Sequence, residues 1–256
     1  MLLLLNTTKT MNLSAPVPHR LEVTEPLLMD QACRLADKLA KMSRAQLMHL
    51  MSLSEKLADE TRANAVRWGR EGRPKIPALF GFTGLVYKSL DAPNLDATQC
   101  GDAQKRIRIL SGLYGLLRPF DQIEAYRLEM GHKLVMGKAK NCTVFWKDRL
   151  TATLNAGLTV GEPIISLAAQ EYMKALDLKK LNGPVISPVF KERATDGTLK
   201  TVAVHAKKAR GELVRYALVH KARTPRDLLE FNALGWTPAT DVPEKGPWLF
   251  TRPVTA

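Results

Sequence analysis

PVISPVFKERATDGTLKTVAVHAKKARGELVRYALVHKA, residues 184–222, is the stretch that decides how this chain folds. PVISPVF and TLKTVAVHA read as strands, and Asp196-Gly197 between them is a tight-turn pair that favours an antiparallel hairpin. A helix follows, from about residue 206 to about residue 223. Lys207, Lys208 and Arg210 then crowd its first turn, with Arg215 beyond. Free backbone amides make that turn partly positive, so each cation there is disfavoured by ~0.3–1 kcal/mol. Amides and cations together suit a phosphate. The alternative is a solvated helix face. Ala206, Ala209, Leu213 and Ala217 form the docking stripe, Lys208 and Arg215 share another face, and Gly211 admits a close backbone.

Working outward, strands and helices alternate. MLLLL reads as a buried first strand with Lys9 just past its end. Thr24-Glu25-Pro26 opens a helix carrying Leu28, Ala32, Leu35 and Leu39 at helical spacing. Ser43 and Gln46 make a capping box for a second helix, and SLSEKLADETRANAVRW is a third. Gly72, Pro74 and Pro77 interrupt. DATQCGDAQKRIRILSGLYGLLRP reads as a helix ending in a glycine-rich turn, and YRLEM as a strand. VFWKDRLTATLNAGL is a helix, PIISLAA a buried strand, QEYMKALDL a helix, and WLFTR an edge strand. The expectation is one domain over residues 1–256: mixed α/β, with a partly antiparallel sheet wrapped by helices.

Lys and Arg total 38 against 25 Asp and Glu, a net charge of +13, which favours polyanionic partners. Cys33, Cys100 and Cys142 are far apart and form no C-x-x-C, so neither a disulfide framework nor structural zinc is indicated, which fits a reducing cytoplasm. MLLLLNTTKT lacks a charged n-region and a cleavage site, and no run approaches the ~20 apolar residues of a membrane span. No membrane partner is expected.

Several signatures fail. GHKLVMGKA (131–139) has one residue too many for a P-loop and Ala139 where a hydroxyl belongs. Glu129-x-x-His132 has no second copy and is broken by Gly131. The histidines at 19, 49, 132, 205 and 220 show no ligand spacing, so no cofactor and no stable metal is expected. Two stretches survive beside the basic cluster. SGLYGLLRP (111–119) presents Tyr114 and Arg118 between glycines, or is a helix cap and turn. FGFTGLVYKSL (80–90), with Gly81, Gly84 and Lys88, is a helix-hairpin-helix offering amides to a DNA phosphate, or a tight turn in the core.

Together these stretches resemble the YaaA peroxide-stress-response family. The resemblance rests on Lys9-Thr10, SEKLA (54–58), the aromatic and glycine pattern from Phe82 to Leu90, and RILSGLYGLLRPFD (108–121). It continues through YRLEMG (126–131), FW (145–146), SLAAQEYMK (166–174), PVF (188–190) and AKKARG (206–211). It departs at NTTKT, where the family's pattern is SPAKT, and at Ala169, where it has serine. The resemblance implies a cytoplasmic protein with a basic cleft that binds double-stranded or distorted DNA through a helix-hairpin-helix. It also implies protection against peroxide by limiting free iron.

Two functional expectations follow. In the first, Lys207, Lys208, Arg210, Arg215, Arg118, Gly81, Gly84 and Lys88 contact DNA without chemistry. In the second, an enzyme acts on nucleic acid or a nucleotide. Its candidates come from Lys9, Lys56, Tyr87, Tyr114, Arg118, Arg127, Glu129, Glu171, Lys191 and Lys207; Lys9, Tyr114, Glu129 and Lys207 are the catalytic ones, if these side chains converge.

Overall fold

The computed structural model describes residues 1–17 and 21–254. In chain order its strands and α-helices are β1 (Leu2–Asn6), α1 (Met29–Ala40), α2 (Arg44–Met51), α3 (Glu55–Arg67), β2 (Ile76–Pro77), α4 (Ala78–Gly81), α5 (Leu85–Leu90), α6 (Ala97–Arg106), β3 (Ile107–Ser111), β4 (Gly115–Leu117), β5 (Gln122–Ile123), α7 (Cys142–Ala156), β6 (Ile164–Ser166), α8 (Gln170–Met173), β7 (Val185–Arg193), β8 (Leu199–Lys200), α9 (Ala203–Val219), β9 (Thr237–Pro238) and β10 (Gly246–Pro253).

The main sheet runs β4-β3-β1-β6-β7-β10-β9, with β8 paired to the end of β7. β1, β3, β6, β7 and β10 are mutually parallel; β4, β8 and β9 pair antiparallel. Leu2 to Leu5 are all buried, as expected of a central strand covered on both faces. The mixed, partly antiparallel sheet wrapped by helices is the architecture the sequence led us to expect.

β1 leads on to β3 at one side, while β6 lies at its other side. Where neighbouring strands send their connections opposite ways, a crevice opens at their C-terminal ends, and α/β folds place ligands there. In this chain that edge gathers the residues just after β1, just after β6 and along the second half of β7.

Several local expectations need correction. Thr24 does not open a helix: α1 starts at Met29. Thr24 instead bridges to the segment after β4, and its hydroxyl donates to buried Asp121 at 2.6 Å. Helix α6 ends at Arg106, and IRILS is strand β3, a short apolar run whose place between β1 and β4 makes it a strand. YRLEM is extended but pairs with no strand; it lies over the β3–β4 turn. A β-carbon on Gly112 would sit 2.2 Å from the Leu128 carbonyl oxygen, so glycine alone lets the two backbones meet. β10 is not the edge strand; short β9 covers it.

The hairpin at Asp196-Gly197 is present, but β8 is only two residues long and α9 begins at Ala203. Lys207, Lys208 and Arg210 therefore lie beyond its first turn, and the free-amide argument does not reach them. The helix-hairpin-helix expectation is not confirmed, although α4 ends at Gly81 and α5 begins just after Gly84. α4 is a single turn with all four residues buried, and Gly84 packs against the Thr8 side chain. His19 lies outside the described residues.

Candidate anion-binding cleft

Helix α9 sets the site. Gly211 lets it press on α5: a β-carbon there would meet the Val86 carbonyl oxygen at 2.1 Å. One turn on, Arg215 donates to the carbonyl oxygens of Leu90 and Asp91 at 3.1 and 2.9 Å and pairs with the Asp91 carboxylate. The two helices thus run in the same direction, which puts the start of α9 at the Gly84 end of the pair, near the end of β1.

From α9, Arg210 reaches a cleft of about 510 Å³ shared with Lys147 of α7, Lys174 just after α8, Ser166 at the end of β6, and Ser187 of β7. Gln170 and the apolar side chains of Met173, Leu176, Val185 and Val189 complete the wall. Arg210 is half-buried, its Nε is sealed from solvent, and it makes no hydrogen bond or ion pair among the described residues. Burial alone holds its guanidinium below the usual arginine range. Lys147 and Lys174 are exposed and likewise unpaired among the described residues. No described lining residue is a carboxylate. A desolvated cation with no counter-charge is costly, so the cleft is electrostatically incomplete without an anion.

Beside this cleft lies a polar cluster at the end of β1. Lys9 Nζ sits 3.0 Å from Glu129, and His132 Nε2 is 3.9 Å from the same carboxylate. The Glu129 backbone N–H donates to His132 Nδ1, so a neutral ring carries its proton on Nε2, facing the carboxylate. Burial lowers the His132 pKa, with Glu129 opposing and Lys9 adding to the shift. Thr7 and Tyr172 share a hydrogen bond of 3.2 Å, and Tyr126 and Ser111 one of 2.8 Å. Burial pushes the Tyr126 phenol up to about 12. Tyr87 donates to the Asn6 carbonyl, and the Glu171 carboxylate lies against Gly131.

The structure brings together Lys9, Tyr87, Glu129 and Glu171, with Arg127 and Lys191 at the margin, but not Lys56, Tyr114, Arg118 or Lys207. Lys207, Lys208 and Lys88 are exposed and unpaired among the described residues. Tyr114 is core: its hydroxyl accepts from Trp68 Nε1 and the Glu124 amide. Arg118 is held by Asp121 and the Glu25 carbonyl. Gly81 is buried, and Lys56 is exposed on α3. Lys191 continues the face of β7 that carries Ser187 and Val189. Arg127, in the YRLEM segment, lies near enough to His132 to act on its charge. Lys147, Lys174, Ser166, Ser187 and Gln170 were not among the site residues expected from sequence: four elements, α7, β6, α8 and β7, deliver them, and Ser166, Gln170 and Lys174 sit in the SLAAQEYMK stretch without any chemical signature of their own. No described helix is long and apolar enough to cross a membrane, and no three described His, Cys, Asp or Glu side chains cluster as metal ligands.

A family model described as peroxide stress protein YaaA matches residues 1–241. The chain belongs to the YaaA family. A UPF0246 protein of Idiomarina loihiensis is 40% identical over 242 residues, covering 93% of each chain. One from Flavobacterium johnsoniae is 39% identical over 255 residues, covering 98% of this chain and all of the relative. In this YaaA family member, the YRLEMG and AKKARG stretches frame the polar cluster and the cationic cleft described above.

Proposed function

We propose that this peroxide stress protein binds DNA by its phosphates along the C-terminal edge of the sheet, and that it limits iron-mediated damage by doing so. The observation that carries this reading is the cleft of Arg210, Lys147 and Lys174, cations without a counter-charge among the described residues. Exposed Lys207 and Lys208 extend the same charge outward, within a chain of net charge +13. Phosphate contacts of this kind position a protein without reading bases, so little sequence preference is expected.

The test is binding to labelled duplex, mismatched and junction DNA across a salt series. Affinity should fall steeply, by a logarithmic slope of about −0.9 per phosphate neutralised. The Lys207→Ala/Lys208→Ala variant should bind more weakly, with a slope shallower by about one per lysine. Affinity indifferent to salt would refute the reading.

A second reading is favoured by the Lys9–Glu129–His132 juxtaposition: an enzyme that moves a proton on a nucleotide bound at the same edge. Cut or modified DNA recovered on a denaturing gel, and lost with Glu129→Gln, would establish it over simple binding.

A further inference from the structure

We infer that the Arg210 cleft is a pocket for one phosphomonoester of nucleotide size, either a free mononucleotide or the 5′-phosphorylated end of a strand. This rests on the nucleic-acid reading above for the nucleoside body. The phosphate itself follows from the cleft.

The size argues for a single residue. About 510 Å³ lies within the ~300–1,000 Å³ range of small-molecule sites. A pocket of this size takes one nucleotide and leaves the rest of a duplex outside. The charge argues for a dianion. Three cationic residues with no described partner line the cleft, enough to neutralise the second charge of a phosphomonoester as well as the first. Arg210 supplies a planar fork suited to two phosphate oxygens, and the two lysines act as point charges.

The polar remainder fits the same ligand. Ser166, Ser187 and Gln170 line the cleft, and their side chains make no hydrogen bond among the described residues. They are donors and acceptors for a phosphate and a sugar. The Met173, Leu176, Val185 and Val189 side chains provide an apolar bed for the base. Lys147 and Lys174 stand at exposed positions, so a ligand can enter without opening the fold.

The experiment compares binding of dAMP, deoxyadenosine and inorganic phosphate to the full chain by calorimetry. In parallel it compares a short single strand with a 5′-phosphate against its 5′-hydroxyl twin. The expected result is a preference of about tenfold or more for the phosphorylated member of each pair, the size expected of charge-assisted hydrogen bonds. Arg210→Gln and, separately, Lys174→Ala should abolish the preference, and Arg210→Lys should restore part of it. Binding of dAMP without the strand preference assigns the pocket to free nucleotides; the strand preference alone assigns it to DNA ends. Equal binding of both members of each pair overturns the inference. If duplex binding remains salt-dependent in that case, the DNA reading stands without the pocket. If dAMP binds and duplex does not, the pocket stands and the DNA reading falls.

Discussion

The side-chain carbonyl of Asn6 accepts a hydrogen bond from the backbone N–H of Ala169 at 2.8 Å. Asn6 begins NTTKT and Ala169 lies in SLAAQEYMK, two of the stretches that carry the resemblance to the family, and they touch. Ala169 is the cap residue of α8 and has no side-chain oxygen to hold the helix amides. Asn6 anchors that cap from the end of β1, between the two halves of the candidate site.

Asn6→Ala should therefore leave a half-buried amide without a partner, at a cost of ~1–3 kcal/mol in urea denaturation. Ala169→Ser should supply the missing cap and stabilise by ~0.5–2 kcal/mol. A double-mutant cycle giving strict additivity would mean that the two residues do not act together.

Gly211 makes the second prediction. Alanine is the better helix former by ~1 kcal/mol. Its β-carbon, however, would meet the Val86 carbonyl at 2.1 Å, a backbone atom that cannot turn aside. Such overpacking typically costs ~1–3 kcal/mol. Gly211→Ala should lower the denaturation midpoint despite the gain in propensity. A raised midpoint would show that α5 and α9 separate easily.

How far the sequence could be read follows from the same physics. The first capping box and the leucine-rich central strand depend on local pattern alone, and Ser43 with Gln46 forms the box as expected. IRILS misleads because a short apolar run has no decisive period, and only its place between β1 and β4 makes it a strand. YRLEM alternates like a strand yet is held by Tyr126–Ser111 and by contact with Gly112, which are tertiary matters. In the site, AKKARG announced Arg210 but not its surroundings. Lys147, Lys174 and Ser187 meet it only through the sheet order, which no local spacing encodes.

Arg118 and Arg215 separate a structural role from a binding one. Both stood among the DNA contacts expected from sequence, and both are spent on internal partners: Asp121 and Glu25 for one, Leu90 and Asp91 for the other. Arg118→Ala leaves the fully buried Asp121 carboxylate without its cation, so a loss of ~3–5 kcal/mol is expected. DNA affinity of the folded variant at 25 °C should stay within about twofold of wild type, below ~0.5 kcal/mol. A shallower salt slope with unchanged stability would return Arg118 to the proposed DNA-binding surface.

Glu192 makes the last prediction, on the acid side of the stability curve. Its buried carboxylate accepts two hydrogen bonds from Arg252, at 2.9 and 2.7 Å, and one from His205 at 2.7 Å. A carboxylate only accepts, so His205 Nδ1 carries the proton. Burial alone would raise the Glu192 pKa, but the Arg252 and His205 hydrogen bonds overcome it and hold the group below its usual range. The folded pKa thus lies below the unfolded value of ~4.3. The stabilisation is complete above the unfolded pKa and disappears as pH falls through the folded one. Stability measured from pH 7 to pH 3 should drop below pH ~4. Glu192→Gln should cost ~3–5 kcal/mol at pH 7, since Arg252 stays buried without its partner. It should also flatten the acid limb. The cluster ties β7 and β10 to the first turn of α9, so an acid limb unaffected by the substitution would mean that other carboxylates anchor the helix carrying Arg210.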